Sequence, residues 1–416
     1  RDVAPSRGLG DVYKRQRLNT DNRERTKRIM YTIQTLNKIA AAGTKRFDTA
    51  AYTVTDTAEN PDAIMVRSAA MHDMTFGSNL LAIARAGAGT NNIPVDRCAE
   101  AGICVFNTPG ANANAVKELV LTGLLLSSRK IPQAIAWAHS LEHEEGIAKL
   151  VEKGKSQFAG PEIKGKTLGI IGLGAIGALV ANAAIALGMQ VVGTDPFLSV
   201  GAALRLNPAV KIVKDSDGVF AAADYLTIHV PFNNDTKGMI NAETIAKMKD
   251  GVRVLNYARG ELVNDDDMLA ALASGKVTCY CTDFPNEKTC NAEGIIATPH
   301  LGASTPESEE NCASMAAEEL ISYLETGNIR NSVNLPNAEM QATGNKVCIL
   351  HKNVPNMIAA VTAVAGTAGV NIENMVNASR KSYAYTMLDI PETVTDAMLD
   401  QICAIDGVIR VRLIAK

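Results

Sequence analysis

The chain has 416 residues, 47% of them hydrophobic and 20% charged, which is the composition of a folded protein of two to four domains. No apolar run reaches the roughly 18 residues of a membrane-spanning helix, so an integral membrane protein is excluded. The formal net charge of −3 also argues against a dedicated nucleic-acid-binding protein.

The first 29 residues carry a charge opposite to that of the rest. They hold nine basic and four acidic side chains, a net +5, whereas residues 30–416 carry a net −8. The segment lacks the apolar region of a secretory signal, and it has too few serines and too many acids for a typical transit peptide. A nucleic-acid-binding arm is an alternative. We expect residues 1–29 to be a non-native upstream segment and Met30 to be the natural start.

From Met30 onward, short apolar runs rich in β-branched residues alternate with helical patterns, which is typical of parallel α/β layers. We expect strands at 63–67, 81–85, 103–107, 167–171, 190–194, 225–230, 252–257, 277–283 and 295–298. Helices are expected at 116–127, 178–187 and 306–327.

The C-terminal part has a different order of elements. Residues 329–344 are polar and are interpreted as a linker. Residues 345–416 then follow the order β-α-β-β-α-β, which predicts a small ferredoxin-like domain. Its elements are expected at 347–351, 356–368, 370–376, 382–390, 394–405 and 408–414.

A glycine-rich turn follows strand 167–171 and fits the pattern GxGxxG. Gly172 permits the tight turn, Gly174 lets the backbone approach a pyrophosphate, and Gly177 lets the next helix pack on the sheet. Asp195 ends the next strand, 18 residues after the last glycine, and can bind both ribose hydroxyls while repelling a 2′-phosphate. The sequence therefore predicts an NAD site rather than an NADP site; a purely structural turn is the alternative.

Three later strand ends carry reactive side chains at the edge where open α/β sheets bind ligands. Hydride exchange at C2 of a hydroxy acid needs a cation for the carboxylate, an acid/base with a near-neutral pKa, and a carboxylate that supports it. Arg259, His300 and Glu287 have these chemistries. Singly, each could be a surface ion pair, a core histidine or a solvated acid.

In these motifs the chain resembles the D-isomer-specific 2-hydroxyacid dehydrogenases, and among them those that oxidise 3-phospho-D-glycerate. The resemblance extends from about Met30 to Lys416. Its motifs are Arg67-Ser68, Arg85–Asn92, Asn107–Pro109, Gly172–Gly177, His229–Pro231, Ala258–Gly260 and Pro299–Thr305.

The resemblance implies an α/β fold in three parts. A Rossmann-type, doubly wound NAD domain (112–303) is inserted in a flavodoxin-like substrate-binding domain (30–111 and 304–336). A ferredoxin-like ACT regulatory domain (345–416) follows.

The resemblance also implies residue roles. Arg259 would bind the substrate carboxyl, His300 would be the acid/base, and Glu287 would support its imidazole, with Asp283 as the fallback. The implied substrate-binding residues are Arg67, Ser68, Arg85, Gly89, Arg259 and His300. The implied cofactor-binding residues are Gly172, Gly174, Ala175, Ile176, Gly177, Asp195, His229, Val230, Pro231, Thr236, Ala258, Arg259, Asp283 and His300. No metal is implied.

The chain departs from the family at three positions. Ala175 stands where an arginine often helps to hold the pyrophosphate, so the backbone would carry more of the cofactor binding. The segment with Glu287 is one residue shorter than usual. Tyr257 replaces a small residue beside Arg259, which is expected to reshape the pocket.

The implied reaction is NAD-dependent oxidation of 3-phospho-D-glycerate to 3-phosphohydroxypyruvate, the first step of phosphorylated L-serine biosynthesis. L-Serine is the implied effector, at His351, Asn353 and Asn371; a purely structural ACT domain is the alternative. The family further implies a homodimer or homotetramer. The eight cysteines show no CxxC pair, which favours a cytoplasmic protein without a structural metal.

Two other functions stay open. One is a dehydrogenase for hydroxypyruvate, glyoxylate or another D-2-hydroxy acid. The other is a non-catalytic NAD-sensing regulatory protein, because a fold does not fix a function.

Overall fold

The computed structural model describes residues 30–415, which fall into two compact units. We call residues 30–111 and 309–415 the split unit and residues 112–308 the central unit. The expected upstream segment, residues 1–29, lies outside the described residues. The domain boundaries expected from the sequence stay a prediction.

The split unit begins with a five-stranded parallel sheet in the order β2-β1-β3-β4-β5, which is the flavodoxin-like order. All four side chains of its central strand β3 are buried, as the apolar run at this position predicts. The elements are β1 (Tyr31–Leu36), α1 (Ala41–Thr44), β2 (Tyr52–Thr55), β3 (Ala63–Val66), β4 (Ala82–Arg85), α2 (Val95–Glu100) and β5 (Cys104–Asn107).

The central unit contains a seven-stranded parallel sheet whose order, β8-β7-β6-β9-β10-β11-β12, is the Rossmann order 3-2-1-4-5-6 with one further strand. Its helices are α3 (Ala113–Arg129), α4 (Ile131–Ser140), α5 (Ile147–Gly154), α6 (Ala175–Ala186), α7 (Val200–Ala203), α8 (Ser216–Ala222), α9 (Ala242–Ala246) and α10 (Asp265–Ala273). Its strands are β6 (Thr167–Ile171), β7 (Gln190–Thr194), β8 (Lys211–Ile212), β9 (Tyr225–Ile228), β10 (Val252–Asn256), β11 (Val277–Thr282) and β12 (Ile295–Ala297). Short 3₁₀ helices cover Lys155–Phe158 and Gly260–Leu262.

The chain returns to the split unit near the start of a 21-residue helix and ends in a four-stranded antiparallel sheet in the order β14-β15-β13-β16. The elements are α11 (Pro306–Thr326), β13 (Asn345–Lys352), α12 (Met357–Thr367), β14 (Asn374–Arg380), β15 (Tyr383–Ile390), α13 (Asp396–Cys403) and β16 (Val408–Ile414). This is the predicted β-α-β-β-α-β order. The predicted fold class is confirmed.

The expected strand at 370–376 is displaced toward the C-terminus. The hairpin between β14 and β15 pairs Asn374 with Asp389 and Arg380 with Tyr383, so the ladder covers 374–380. Lys381 turns the chain at φ 52°. The apolar residues that suggested an earlier start pack against the helices instead, because Val370 and Ile372 lie on the apolar cluster beneath them.

The segment interpreted as a linker is packed against the split unit. Ile329 and Leu335 are fully buried, and Ile329 and Ala338 exchange backbone hydrogen bonds of 2.8 and 2.9 Å. Its buried apolar residues hold the C-terminal sheet close to the first one.

The C-terminal sheet is covered on both faces within the split unit. One face packs on α12 and α13, and the other joins the core that contains Phe106. Arg410 is buried and donates hydrogen bonds to the carbonyl oxygens of Leu80 and Ala101 at 2.8 and 3.2 Å. Arg412 donates to Leu324 O in the last turn of α11, where a cation complements the helix dipole.

Among the helices of residues 30–415, none has the length and apolar character needed to cross a membrane.

Candidate functional site

The three glycines after β6 have the roles that their spacing predicts. Gly172 turns at φ 93°, and a Cβ at this position would lie 2.5 Å from His229 O. A Cβ on Gly177 would collide with Gly172 O, so the close start of α6 depends on glycine here. A Cβ on Gly174 would meet nothing within 4 Å, so this glycine borders open space. The turn leaves room for a ligand directly before α6, whose first N–H groups have no partner within the helix.

Asp195 follows β7 and fixes the glycine turn. Its Oδ2 accepts a hydrogen bond from Leu173 N at 3.0 Å, and its Oδ1 accepts one from Phe197 N at 2.9 Å. A carboxylate has further lone pairs, so these two bonds leave capacity for ribose hydroxyls. The donor set and the open space at Gly174 fit NAD.

His229 presents a buried nitrogen without a partner. The Nε2 atom lies 3.0 Å from Thr227 Oγ1, whereas Nδ1 is buried and forms no hydrogen bond among the described residues. Burial lowers the pKa of His229 to about 3, so the ring is neutral at physiological pH. Nearby, Thr236 Oγ1 donates to Pro231 O at 2.7 Å and closes the loop after β9. An unpaired buried nitrogen at this strand end is a group that a bound cofactor can satisfy.

Arg259 is exposed, and its carbonyl oxygen is held by a buried asparagine to which the sequence motifs assign no role. Asn256 Nδ2 donates to Arg259 O at 2.8 Å, and Asn256 Oδ1 accepts from Ala258 N at 3.2 Å. Asn256 is the fully buried last residue of β10. A polar residue at the end of an apolar strand, directly before Tyr-Ala-Arg-Gly, was the signal available in the sequence.

Tyr257 lies in the core of the central unit. Its side chain is 7% exposed, and burial raises its pKa. The hydroxyl occupies the space above Gly123 of α3, where a Cβ would collide with it. The glycine opposite gives the larger ring a place in the core, and the expectation that Tyr257 reshapes the pocket stays a prediction.

The loop that carries His300 is organised by Asp283. This carboxylate is 1% exposed and accepts hydrogen bonds from Thr298 Oγ1 at 2.6 Å, Leu301 N at 2.8 Å and Gly302 N at 2.7 Å. His300 N donates to Asp283 O at 3.0 Å, and His300 adopts φ 54°, a conformation that is uncommon for residues other than glycine. Asp283 therefore holds the backbone on both sides of the imidazole.

The imidazole itself is exposed and contacts an aromatic ring. The ring centroids of His300 and Phe284 are 4.9 Å apart at an interplanar angle of 59°. Glu287 is exposed, and among the described residues its carboxylate forms no hydrogen bond or ion pair with His300. The structure brings Asp283 to the backbone of the loop and places neither carboxylate on the ring.

In the split unit, Arg67 and Arg85 lie at the carboxyl ends of the neighbouring strands β3 and β4. Arg85 Nε donates to Arg67 O at 3.1 Å, and the Arg85 guanidinium folds over Gly87, where a Cβ would overlap it. Asn37, to which no sequence motif assigns a role, accepts hydrogen bonds from Ser68 N and Ala69 N at 3.0 and 2.7 Å. Two arginines and a fixed loop thus form a cationic corner suited to anions.

The three expected effector residues differ in accessibility. His351 is 2% exposed, with Nδ1 2.8 Å from Lys352 O and Nε2 2.9 Å from Thr386 Oγ1, and burial lowers its pKa. Asn353 and Asn371 are exposed. A ligand that contacts the His351 ring must first displace one of these partners.

Comparisons with known proteins show which family the chain resembles. The family described as D-isomer specific 2-hydroxyacid dehydrogenase, NAD binding domain, matches residues 121–302. A D-3-phosphoglycerate dehydrogenase of Escherichia coli is 34% identical over 340 residues, which are 78% of this chain and 79% of that protein. One of Archaeoglobus fulgidus is 36% identical over 291 residues, which are 67% of this chain but 52% of that protein. The chain thus spans about half the length of this relative and of the 35% identical Bacillus subtilis enzyme.

Solved structures show the same architecture. The NAD⁺-bound 3-phosphoglycerate dehydrogenase of Entamoeba histolytica superposes with a TM-score of 0.57 at 26% identity, covering 73% of this chain and 99% of that one. A D-lactate dehydrogenase of Treponema pallidum superposes with a TM-score of 0.60 at 22% identity, covering 73% and 100%, a likeness of fold alone.

Proposed function

Because the chain belongs to the family of D-isomer-specific 2-hydroxyacid dehydrogenases, we propose that it oxidises 3-phospho-D-glycerate to 3-phosphohydroxypyruvate with NAD. The observation that carries the proposal is the cationic corner of the split unit. A substrate with a carboxylate and a phosphate matches two arginines at the carboxyl ends of neighbouring strands, where Arg85 Nε also donates to the backbone carbonyl of Arg67. The relatives named D-3-phosphoglycerate dehydrogenase support this substrate.

Bound NAD would supply the hydride acceptor. Gly174 and the start of α6 would hold its pyrophosphate, and Asp195 would hold the adenosine ribose. The buried, neutral His229 would offer Nδ1 to the nicotinamide half. Ala175 contributes no cation, so backbone N–H groups carry the pyrophosphate binding.

Residues of this chain bind the substrate and remove its hydroxyl proton. Arg259 binds the substrate carboxylate, and His300 removes the proton of the 2-hydroxyl group as C2 is oxidised. Asp283 fixes the loop that presents the imidazole. Glu287 supports the imidazolium when substrate is bound, since catalytic hydrogen bonds often tighten only in the complex.

The test is NADH formation with purified protein. We expect turnover of 3-phospho-D-glycerate with a kcat/KM at least about 100-fold above that for unphosphorylated D-glycerate, because loss of a bidentate charged contact removes several kcal/mol of binding. Preferred turnover of D-glycerate, of hydroxypyruvate or of glyoxylate with NADH would instead identify the related dehydrogenase. NAD binding without turnover of any of these would favour a sensing protein.

The regulatory proposal concerns the C-terminal ferredoxin-like domain, which we infer to be an ACT domain that binds L-serine through Asn353 and Asn371. Exposed amide side chains can donate to a carboxylate and accept from an ammonium group. We expect L-serine to inhibit NADH formation and an Asn353→Ala, Asn371→Ala double variant to be insensitive. A normal response of this variant would contradict the site.

The proposal also covers the oligomeric state and the cellular location. A homodimer or homotetramer is proposed, and light scattering of the purified chain tests it. A reducing, cytoplasmic location is supported by the eight cysteines, which are all free within residues 30–415. A disulfide in the natively purified protein would contradict this location.

A further inference from the structure

Arg67 is already engaged by an acidic side chain. Its Nη2 atom lies 2.6 Å from Oε1 of Glu309, and the two side chains are 43% and 40% exposed. Both residues belong to the split unit, and Glu309 lies in the first turn of α11. The pair therefore occupies one side of the guanidinium in the cationic corner.

The backbone around Arg67 is held in place. Arg67 directly follows β3, and its carbonyl oxygen is held by Arg85 Nε at 3.1 Å. The next two backbone N–H groups are held by Asn37 Oδ1. Because the backbone around Arg67 is fixed, only side-chain movement can change which anion its guanidinium contacts.

A carboxylate and a phosphate compete for the same surface of a guanidinium. Each accepts hydrogen bonds from the N–H donors of the guanidinium, so the Nη2 donor that contacts Glu309 is not available to a substrate in the same geometry. Partly exposed ion pairs are weak, which makes the carboxylate displaceable by a dianionic phosphate. Glu309 does not depend on the pair for its own placement, since an acid is favoured in the first turn of a helix.

We propose that Glu309 is an internal competitor for Arg67: its carboxylate occupies part of the guanidinium until the phosphate group of the substrate displaces it. Glu309 thereby sets the affinity for phosphorylated substrate without touching the reacting atoms. This inference rests on the proposed function, in which Arg67 and Arg85 bind the anionic groups of the substrate, and it assigns the phosphate to Arg67.

The test is a Glu309→Gln variant, which keeps the size of the side chain and removes its charge. We expect the KM for 3-phospho-D-glycerate to fall about two- to fivefold at low ionic strength, the range of an exposed ion pair, with kcat unchanged. The neighbouring Glu310 is exposed and forms no ion pair within residues 30–415, so Glu310→Gln is the matched control and should leave KM within about 1.5-fold.

A second variant shows whether the effect passes through Arg67. In an Arg67→Gln background, Glu309→Gln is expected to leave KM unchanged, because no guanidinium remains to compete for. An unchanged or raised KM in the single variant would overturn the inference, since the pair would then contribute nothing or would prepare Arg67 for substrate.

Binding of inorganic phosphate, measured by calorimetry without turnover, separates this inference from the proposed function. Tighter phosphate binding by Glu309→Gln in a protein that fails to oxidise 3-phospho-D-glycerate would retain the inference and reject the function. If the protein oxidises 3-phospho-D-glycerate and Glu309→Gln changes neither KM nor phosphate affinity, the function is retained and the inference is rejected. Phosphate affinity that is unaffected by Arg67→Gln would also reject the inference.

Discussion

Replacing His300 by asparagine is expected to lower kcat for 3-phospho-D-glycerate oxidation by about 10²- to 10⁴-fold, the usual contribution of a general acid/base. Asparagine lacks a group that titrates near neutral pH. It does tolerate the left-handed backbone at φ 54°, so the loop around it is expected to persist. NADH formation at saturating substrate gives kcat.

The control for this prediction is a histidine elsewhere in the central unit. His139 lies exposed on α4, and His139→Asn is expected to retain full turnover. A His300→Asn enzyme that turns over within about threefold of the unmodified protein would remove His300 from the mechanism and leave the acid/base unassigned, since general catalysis contributes far more than that.

Replacing Asp283 by asparagine is expected to lower both stability and turnover. The carboxylate accepts hydrogen bonds from Thr298, Leu301 and Gly302. An amide of the same shape replaces one of the two acceptor oxygens by an NH₂ group, which is a donor and cannot accept these bonds. A buried donor left without a partner costs about 1–3 kcal/mol in the free energy of unfolding. Because the same bonds hold His300, we expect kcat to fall about 10- to 100-fold, on the scale of a misplaced catalytic group.

Glu287→Gln separates loop positioning from support of the imidazole. Glu287 is exposed, so its loss is expected to leave the free energy of unfolding within about 0.5 kcal/mol. If its carboxylate supports the imidazolium in the complex, its loss is expected to lower kcat for 3-phospho-D-glycerate oxidation by about 10-fold or more. A lower kcat in Asp283→Asn with unchanged stability, and an unchanged kcat in Glu287→Gln, would reverse the two assignments.

The elements and the cofactor turn could be predicted from the sequence because their causes are local. Gly172 and Gly177 are required by a positive φ and by a close backbone approach within a few residues, and the spacing of the motif records both. The apolar run of β3 likewise predicts a strand buried on both faces. Local pattern fails at 370–376, where Val370 and Ile372 are apolar because they pack under helices, and the ladder starts only at Asn374.

The sequence by itself determined the fold class, the NAD turn and the types of residue needed for hydride exchange. Only the tertiary structure decided which partners those residues have. Asp283 could serve the imidazole or the backbone, and contacts with residues 15 to 19 positions away assign it to the backbone. Tyr257 fits the core because Gly123 lies opposite, and Glu309 reaches Arg67 across more than 200 residues of sequence. Such pairs depend on where separate strands and helices meet in space, and no short-range pattern encodes that.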